Sequence, residues 1–204
     1  MKRVALITGG KKDTFRDIEK CDFIFACDRG YEYCLSSNIK PDLVIGDFDS
    51  YFGEIKEDIE VIRLPVIKDD TDTMHAYRKI LEMNFSEVYL YCALGGRFDH
   101  SYANLQCAIY GAKHGIDTLF ISDNDHIKVT NRNETILGRK EGYLFSLFAA
   151  DRIEDLSILG AKYEVHNITL ENDFPLGQSN EWLDDQVTIK KGEGVLIIVE
   201  SKCS

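Results

Sequence analysis

The chain has 204 residues, of which 44% are hydrophobic and 29% are charged, the balance of a folded globular protein rather than of a disordered one. Its net charge of −11 argues against nucleic acid or an anionic membrane surface as a partner. The N-terminal segment becomes polar too soon for a secretion signal, and no apolar run approaches the ~20 residues of a membrane span. Six cysteines without a Cys-x-x-Cys pair indicate reduced, largely buried thiols. We therefore expect a cytoplasmic protein.

The first part of the chain alternates between short apolar runs, typical of buried strands, and amphipathic runs with helical spacing. The predicted strands are residues 4–8, 23–27, 43–45, 61–66, 88–94 and 117–122. The predicted helices are residues 13–20, 29–37, 72–84 and 99–114, with Asp13 as an N-cap and Gly115 as a C-terminal cap. This order predicts an α/β domain with a parallel sheet.

The pattern changes beyond a Ser-Asp-Asn-Asp stretch at residues 122–125, where helical periodicity stops. Short apolar runs follow, separated by Gly, Asn, Asp and Pro, at residues 127–130, 134–137, 143–147, 154–158, 186–189 and 195–199. Short strands at this spacing predict an antiparallel sandwich or barrel, and hence a second domain.

Four short acidic segments follow predicted strands, at residues 26–30, 45–50, 67–72 and 94–100. The loops that leave the carboxyl ends of parallel strands converge on one edge of the sheet, where ligands bind. Up to seven aspartates would meet there. Because so many carboxylates repel one another unless cations lie among them, the segments predict metal-assisted chemistry on phosphates.

Each segment also has a purely structural interpretation. In the Gly46–Ser50 segment, Asp47 and Asp49 can face one ion, but the segment can equally form a solvated turn. In the next acidic segment, Asp70 or Thr71 can simply cap a helix, although a free helix start is also a phosphate site.

The last acidic segment combines the Gly95 and Gly96 pair, which lets backbone amides approach phosphate, with the guanidinium of Arg97. Asp28, considered alone, can bind a ribose hydroxyl, a metal or only water. Trp182 is the only tryptophan, and a core position and a partly exposed stacking surface are both open for it.

Together, in order and spacing, these segments resemble the motifs of the thiamine pyrophosphokinase family in its bacterial form. The Asp-x-Gly, Gly-Asp-x-Asp-Ser, Lys-Asp-x-Thr-Asp, Gly-Gly-Arg-x-Asp-His and Ser-Asn motifs of that family correspond to residues 28–30, 46–50, 68–72, 95–100 and 179–180. The resemblance covers essentially the whole chain. One departure is Arg29, which stands where the family usually has glycine.

The resemblance implies an N-terminal Rossmann-like three-layer domain with a mainly parallel sheet, residues 1–124, which binds the nucleotide and carries catalysis. It also implies a C-terminal antiparallel β-sandwich domain, residues 125–204, which binds thiamine and forms a homodimer with shared active sites. The implied reaction transfers the pyrophosphoryl group of ATP to the hydroxyl of thiamine, giving thiamine diphosphate and AMP.

By the same resemblance, Asp47, Asp49 and Asp72 hold Mg²⁺ and, with Asp99, form the catalytic set. The positions that match nucleotide-binding ones are Asp28, Gly30, Lys68, Asp69, Thr71, Gly96 and Arg97. The positions that match the thiamine site are Ser179, Asn180 and Trp182. Asp72 and Asp99 are both candidates for the group that accepts the proton of the thiamine hydroxyl.

Two other classes of function stay open at the level of sequence. One is another Mg²⁺-dependent pyrophosphokinase or phosphohydrolase on the same scaffold, and the other is a non-catalytic sensor of nucleotide or thiamine. A sensor would release no AMP, so a measurement of AMP separates it from the enzymes. A comparison of thiamine with pterin alcohols as substrates separates thiamine pyrophosphokinase from a related pyrophosphokinase.

Overall fold

The structure, a computed structural model, describes residues 2–48, 55, 58–65 and 70–203. It divides into two compact units, Met1–Asp123 and Asn124–Ser204. The expectations for Asp49, Lys68 and Asp69 lie outside the described residues. Among the described residues, no helix is long and apolar enough to span a membrane.

In the part of the first unit that the structure describes, a parallel sheet is combined with three α-helices. Its strands are β1 (Arg3–Ile7), β2 (Phe23–Cys27), β3 (Leu43–Gly46), β4 (Glu60–Arg63), β5 (Glu87–Tyr91) and β6 (Asp117–Ile121). Its helices are α1 (Gly30–Ser36), α2 (Asp72–Glu82) and α3 (Phe98–Lys113). The six strands lie in the order β6-β5-β1-β2-β3-β4, and each pairing between them is parallel.

The helices cover both faces of this sheet. Ala5 and Ile7 of β1 share a core cluster with Tyr31 of α1. Val4 and Leu6 are also fully buried, and they point to the other face because successive strand residues alternate. Helices α2 and α3 pack against each other. Because crossovers between parallel strands are right-handed in nearly all proteins, the order of the strands places both helices on that second face. The α/β prediction and its three layers are thus confirmed.

The order of the strands reverses between β1 and β5. From β1 the chain builds outward through β2, β3 and β4, and then crosses back through α2 to place β5 on the other side of β1. In doubly wound sheets, the loops on either side of such a reversal run in opposite directions. They leave a crevice at the carboxyl ends of the strands, where ligands bind.

The helix predicted at residues 13–20 is wrong, apart from one short 3₁₀ turn at Ile18–Lys20. Asp13 does not cap a helix, because its carboxylate accepts from the backbone amide of Asp123 at 3.3 Å. Phe15 packs on Tyr91, whose hydroxyl donates to the carbonyl of Arg16 at 2.7 Å. These contacts to distant residues hold the segment as a loop against β5 and β6.

The capping residues of α2 and α3 follow local rules. Thr71 is the N-cap of α2, and its hydroxyl accepts from the amide of Met74 at 3.1 Å. Beyond the end of α3, Gly115 has a φ of +88°, which is the left-handed conformation expected for a glycine that ends a helix.

The second unit consists of strands only, among the residues described. They are β7 (Asp125–Thr130), β8 (Glu134–Gly138), β9 (Tyr143–Ala149), β10 (Arg152–Leu159), β11 (Val165–Glu171), β12 (Gly177–Asn180), β13 (Gln186–Lys190) and β14 (Leu196–Lys202). They form two antiparallel groups, β12-β9-β14-β7 and β11-β10-β13-β8. Leu147 and Ile198 of the first group share a core with Ile153 and Val187 of the second. The unit is therefore a β-sandwich, as predicted.

Strands β11 and β12 have no counterpart in the predicted strands. Each is the outermost strand of its group, so it buries few side chains and shows little apolar alternation. Both also pair irregularly with their neighbours, and Asn167 and Ser179 have φ values of +53° and +58°.

No disulfide joins any of the six cysteines, all of which lie among the described residues. Cys27, Cys34, Cys92 and Cys107 are buried, Cys21 is half-buried, and Cys203 is exposed. Burial raises the pKa of the Cys34 thiol to about 12 and that of Cys92 to about 11, which keeps these two groups protonated and unreactive at neutral pH.

Candidate active site

A cavity of about 890 Å³ opens in the first unit, at the carboxyl ends of the strands around the reversal of strand order. Its wall comes from the loops after β1, β2, β3 and β5, from the first turns of α1 and α2, and from the first two turns of α3. That volume is within the range of sites for small molecules. Segments that are far apart in the sequence therefore meet at one site.

Three carboxylates from three different connections line this cavity: Asp28 after β2, Asp47 after β3 and Asp72 at the start of α2. Asp28 has a φ of +42°, and its carboxylate accepts from the backbone amide of Phe48 at 3.3 Å. The pKa of Asp28 is raised to about 7. Burial is the largest cause, and the hydrogen bond to Asp72 and the charge of Asp72 add to it. Negative charge is thus concentrated beyond what the surrounding protein neutralises.

The donor set fits a hard divalent cation. Carboxylate oxygens are the ligands that Mg²⁺ accepts in proteins, usually one or two of them together with phosphate oxygens. Among the described residues, no three His, Cys, Asp or Glu side chains are already arranged as a complete metal site. Asp49, the third predicted ligand, lies outside the described residues. After burial, the hydrogen bond to Asp72 and the charge of Asp72 also raise the pKa of Asp28, and a bound cation would relieve the repulsion between the two carboxylates.

Gly46 determines where the Asp28 carboxyl lies. A Cβ on residue 46 would overlap Oδ1 and the carboxyl carbon of Asp28, so the close approach requires glycine. The carboxylate therefore lies directly over the end of β3, next to the loop that carries Asp47.

Gly46→Ala is expected to displace the Asp28 carboxyl and to lower kcat by at least about tenfold, since small displacements of catalytic groups are costly. Gly138→Ala is the matched control, because nothing lies within 4 Å of its added Cβ. The two variants are compared by steady-state kinetics and thermal melting. Wild-type kcat in Gly46→Ala would show that the position of Asp28 is unimportant.

The loop between β5 and α3 adds two glycines with positive φ, Gly95 at +76° and Gly96 at +79°. Gly95 and Asp99 line the cavity, whereas Gly96 and Arg97 do not. The Arg97 guanidinium donates from Nε to Oδ1 of Asp99 at 3.1 Å, and this pair lowers the pKa of Asp99. The segment therefore reaches the cavity, with its arginine exposed and paired to its own aspartate.

Of the other residues predicted to bind the nucleotide, some line the cavity and some do not. Thr71 lines the cavity next to Asp72, at the N-terminus of α2. Gly30 is buried at the start of α1, where a Cβ would overlap the carbonyl of Ile7, so it allows α1 to pack closely on β1. Gly30 does not line the cavity.

The loop after β1 is part of the wall, and the sequence analysis missed it. Thr8, Gly9 and Gly10 line the cavity. The Gly10 amide donates to the carbonyl of Cys92 at 2.8 Å, and the Thr8 hydroxyl donates to the same carbonyl at 2.8 Å. The sequence feature that could have indicated this loop is the pair Gly9 and Gly10, which directly follows the first strand. Thr73, Ala93 and Asn104 also line the cavity and were missed.

The residues predicted for thiamine lie in the second unit. Ser179 is exposed, while Asn180 is buried and uses its side chain to hold the backbone of Tyr163, at 3.0 Å from the amide and 2.8 Å from the carbonyl. Trp182 is also in the core, edge-on to Phe145. Its stacking on thiamine stays a prediction, with the indole only 8% exposed in the described chain.

An acidic cavity at the strand reversal of a doubly wound sheet is typical of α/β proteins that bind phosphates together with a divalent cation. Two family models match the chain. The catalytic domain of thiamin pyrophosphokinase matches residues 16–120, and the vitamin B1 binding domain of thiamin pyrophosphokinase matches residues 125–196. The chain belongs to the thiamin pyrophosphokinase family, and its function is that of a thiamine diphosphokinase.

Individual relatives agree. The chain is 27% identical to thiamine pyrophosphokinase of Bacillus subtilis (strain 168), over 98% of this chain and 99% of that protein. The crystal structure of thiamine pyrophosphokinase from Bacillus subtilis superposes with a TM-score of 0.86 at 26% identity, over 98% and 99% of the two chains. A thiamin pyrophosphokinase family protein from Enterococcus faecalis has a TM-score of 0.85 at 24% identity, over 100% of both chains, and shows the same fold. None of these findings favours another pyrophosphokinase, a phosphohydrolase or a sensor.

Proposed function

We propose that the cavity of the first unit binds ATP together with Mg²⁺ and that the pyrophosphoryl group passes to the hydroxyl of thiamine, with release of AMP. The observation that carries this proposal is the meeting of Asp28, Asp47 and Asp72, from three separate connections, on one cavity at the strand reversal. Asp47, Asp72 and Asp49 would hold the cation. Residues 1–124 would form the nucleotide-binding and catalytic domain.

Several groups of the chain would bind and orient the triphosphate. The N-terminus of α2, just after Thr71, offers the positive end of the helix dipole. The backbone of Gly95 and Gly96 would approach phosphate oxygens, and Lys68, Asp69 and Arg97 would complete the nucleotide site. Bound Mg²⁺ would neutralise the negative charge on the phosphates.

The hydroxyl of thiamine has to lose its proton as the new bond forms. Asp72 and Asp99 both line the cavity and can accept it. The ion pair with Arg97 lowers the pKa of Asp99, which makes Asp99 a weaker base than an unpaired aspartate. The acidic surface of the cavity would in addition attract the cationic thiamine.

The second unit, residues 125–204, would bind thiamine through Ser179, Asn180 and Trp182 and would form a homodimer with shared sites. Exposed apolar side chains next to this segment in the sequence support an interface: Phe174, Leu176 and Leu183 are 63%, 52% and 67% exposed. Six free thiols support a reducing compartment, and thus the cytoplasm. The net charge of −11 supports partners other than nucleic acid or membrane.

The products formed from ATP, Mg²⁺ and thiamine test the proposal. We expect AMP and thiamine diphosphate in equal amounts, separated by liquid chromatography, with no turnover when thiamine or the metal is omitted. ADP in place of AMP would mean transfer of a single phosphoryl group and would refute the proposed reaction. Turnover of pterin alcohols in preference to thiamine would refute the substrate.

A further inference from the structure

A buried side-chain amide connects three segments of the cavity wall. Asn104, in the second turn of α3, is 8% exposed. Its Nδ2 donates to the carbonyl of Ala93, after β5, at 3.0 Å. Its Oδ1 accepts from the hydroxyl of Thr73, in the first turn of α2, at 3.0 Å. All three residues line the cavity.

The orientation of this amide is fixed by its partners. A carbonyl can only accept, so the Asn104 nitrogen has to face Ala93, and the Asn104 oxygen then has to face the Thr73 hydroxyl. Thr73 is itself 7% exposed, and a buried polar group that loses its partner is costly, so the pair behaves as one connected unit.

The Thr73 end of the connection adjoins the acidic site. Thr73 directly follows Asp72 in the first turn of α2, the turn that presents the Asp72 carboxylate to Asp28. One turn further along α3, Cys107 contacts the N-cap Thr71, with Sγ and Oγ1 3.8 Å apart. The start of α2 is therefore attached to α3 at the residues on either side of Asp72.

The Ala93 end adjoins the glycine loop. Ala93 is 4% exposed and precedes Gly95 by two residues. Asn104 thus fixes the distance between the start of α2 and the loop that leads into α3, which together form two sides of the cavity.

We propose that Asn104 is a positioning residue of the transfer reaction, which acts through Thr73 to hold the Asp72 carboxylate in its place opposite the Gly95 loop. This inference rests on the proposed role of Asp72. The hydrogen bond between Asn104 and Thr73 matters because a shift of about 1 Å in a reacting or charge-bearing group lowers the rate by up to about 10²-fold.

Thr73→Val is the main test, because it keeps the shape of the side chain and removes only the hydroxyl. We expect kcat to fall by about tenfold while the KM for thiamine changes by less than about twofold. Thr73→Ser restores the hydroxyl and should recover at least about half of the wild-type kcat. Asn104→Ala should show the same pattern with a larger loss, because it also leaves the Ala93 carbonyl without its donor.

Thr118→Val is the matched control. Its hydroxyl bonds to the hydroxyl of Tyr77, at 2.8 Å, and attaches the same helix α2 to β6 in a fully buried position away from the cavity. This variant should melt at a lower temperature and keep kcat within about twofold of wild type. An equal loss of kcat in Thr118→Val and Thr73→Val would overturn the proposal, because general loosening of α2 would then suffice.

A double-mutant cycle identifies the route. If Thr73 acts through Asp72, adding Thr73→Val to Asp72→Asn should lower kcat by less than about twofold further. If the two losses of kcat multiply in the double variant, the proposal is overturned.

Calorimetric binding of a non-hydrolysable ATP analogue with Mg²⁺ gives a second measurement, and we expect at least about threefold weaker binding for Thr73→Val but not for Thr118→Val. Wild-type kcat and affinity in Thr73→Val would leave the proposed function standing and refute the positioning role. A wild-type protein that forms no thiamine diphosphate would instead refute the proposed function, and the binding comparison would still test Thr73.

Discussion

Asp72→Asn is expected to lower kcat for thiamine diphosphate formation by about 10²-fold or more, since it removes a preorganised charge from the phosphate site. The fold should persist, because Asp72 is at the helix surface that lines the cavity and Thr71 still caps α2. In the absence of metal the melting temperature should hold or rise, since Asp72 and Asp28 repel each other there. Steady-state kinetics over a range of Mg²⁺ concentrations, with thermal melting, measure both effects.

Asp70→Asn is the control for this variant. Asp70 is two residues earlier in the chain, pairs with Arg78 and does not line the cavity. Its exposed ion pair is worth little, so kcat should stay within about twofold of wild type. Full turnover of Asp72→Asn at low Mg²⁺ would contradict the assignment of Asp72 as a metal ligand.

Trp182→Ala is expected to lower the free energy of unfolding by about 3–5 kcal/mol, the usual cost of removing a buried tryptophan. The indole packs edge-on against Phe145, with ring centroids 4.8 Å apart, and its Nε1 donates to the carbonyl of Leu137 at 3.3 Å. Both contacts are lost in alanine. Urea denaturation followed by circular dichroism measures the change.

Ile136→Ala is the control, because Ile136 is 56% exposed and its truncation should change stability by no more than about 1 kcal/mol. Trp182→Phe keeps much of the packing and separates stability from ligand binding. If Trp182 also stacks on thiamine, Trp182→Phe should raise the KM for thiamine while losing far less stability than alanine. Equal stability of Trp182→Ala and Ile136→Ala would contradict the core position of Trp182.

The parallel half of the fold could be predicted from sequence because buried strands and amphipathic helices leave strong local patterns. Strand β2 has the predicted bounds, and the other predicted strands and three of the four helices overlap elements of the structure. The fourth helix fails because Asp13, Phe15 and Arg16 bond to residues far away in the chain, which no local pattern records. Strands β11 and β12 escape prediction because outermost strands need little apolar alternation.

The sequence predicted those site residues that belong to short acidic motifs. The acidic segments led to Asp28, Asp47, Asp72 and Asp99, all of which line one cavity. Asn104 was not predictable, because a polar residue within a helix pattern acquires its role only from what the fold packs against it. Trp182 shows the opposite case: a conspicuous residue in the sequence whose side chain the fold uses in a core.

The overlap between Asp28 and the space beside Gly46 also limits how enzymes of this kind can diverge. Any side chain at position 46 conflicts with the present position of the Asp28 carboxyl, so a substitution at 46 either displaces this carboxyl or follows a change to a smaller residue at 28. A smaller residue at 28, however, removes one of the carboxyl groups that line the cavity. The two positions are therefore expected to drift together or to stay fixed, and a descendant with a side chain at 46 is expected to have given up the acidic residue at 28 as well.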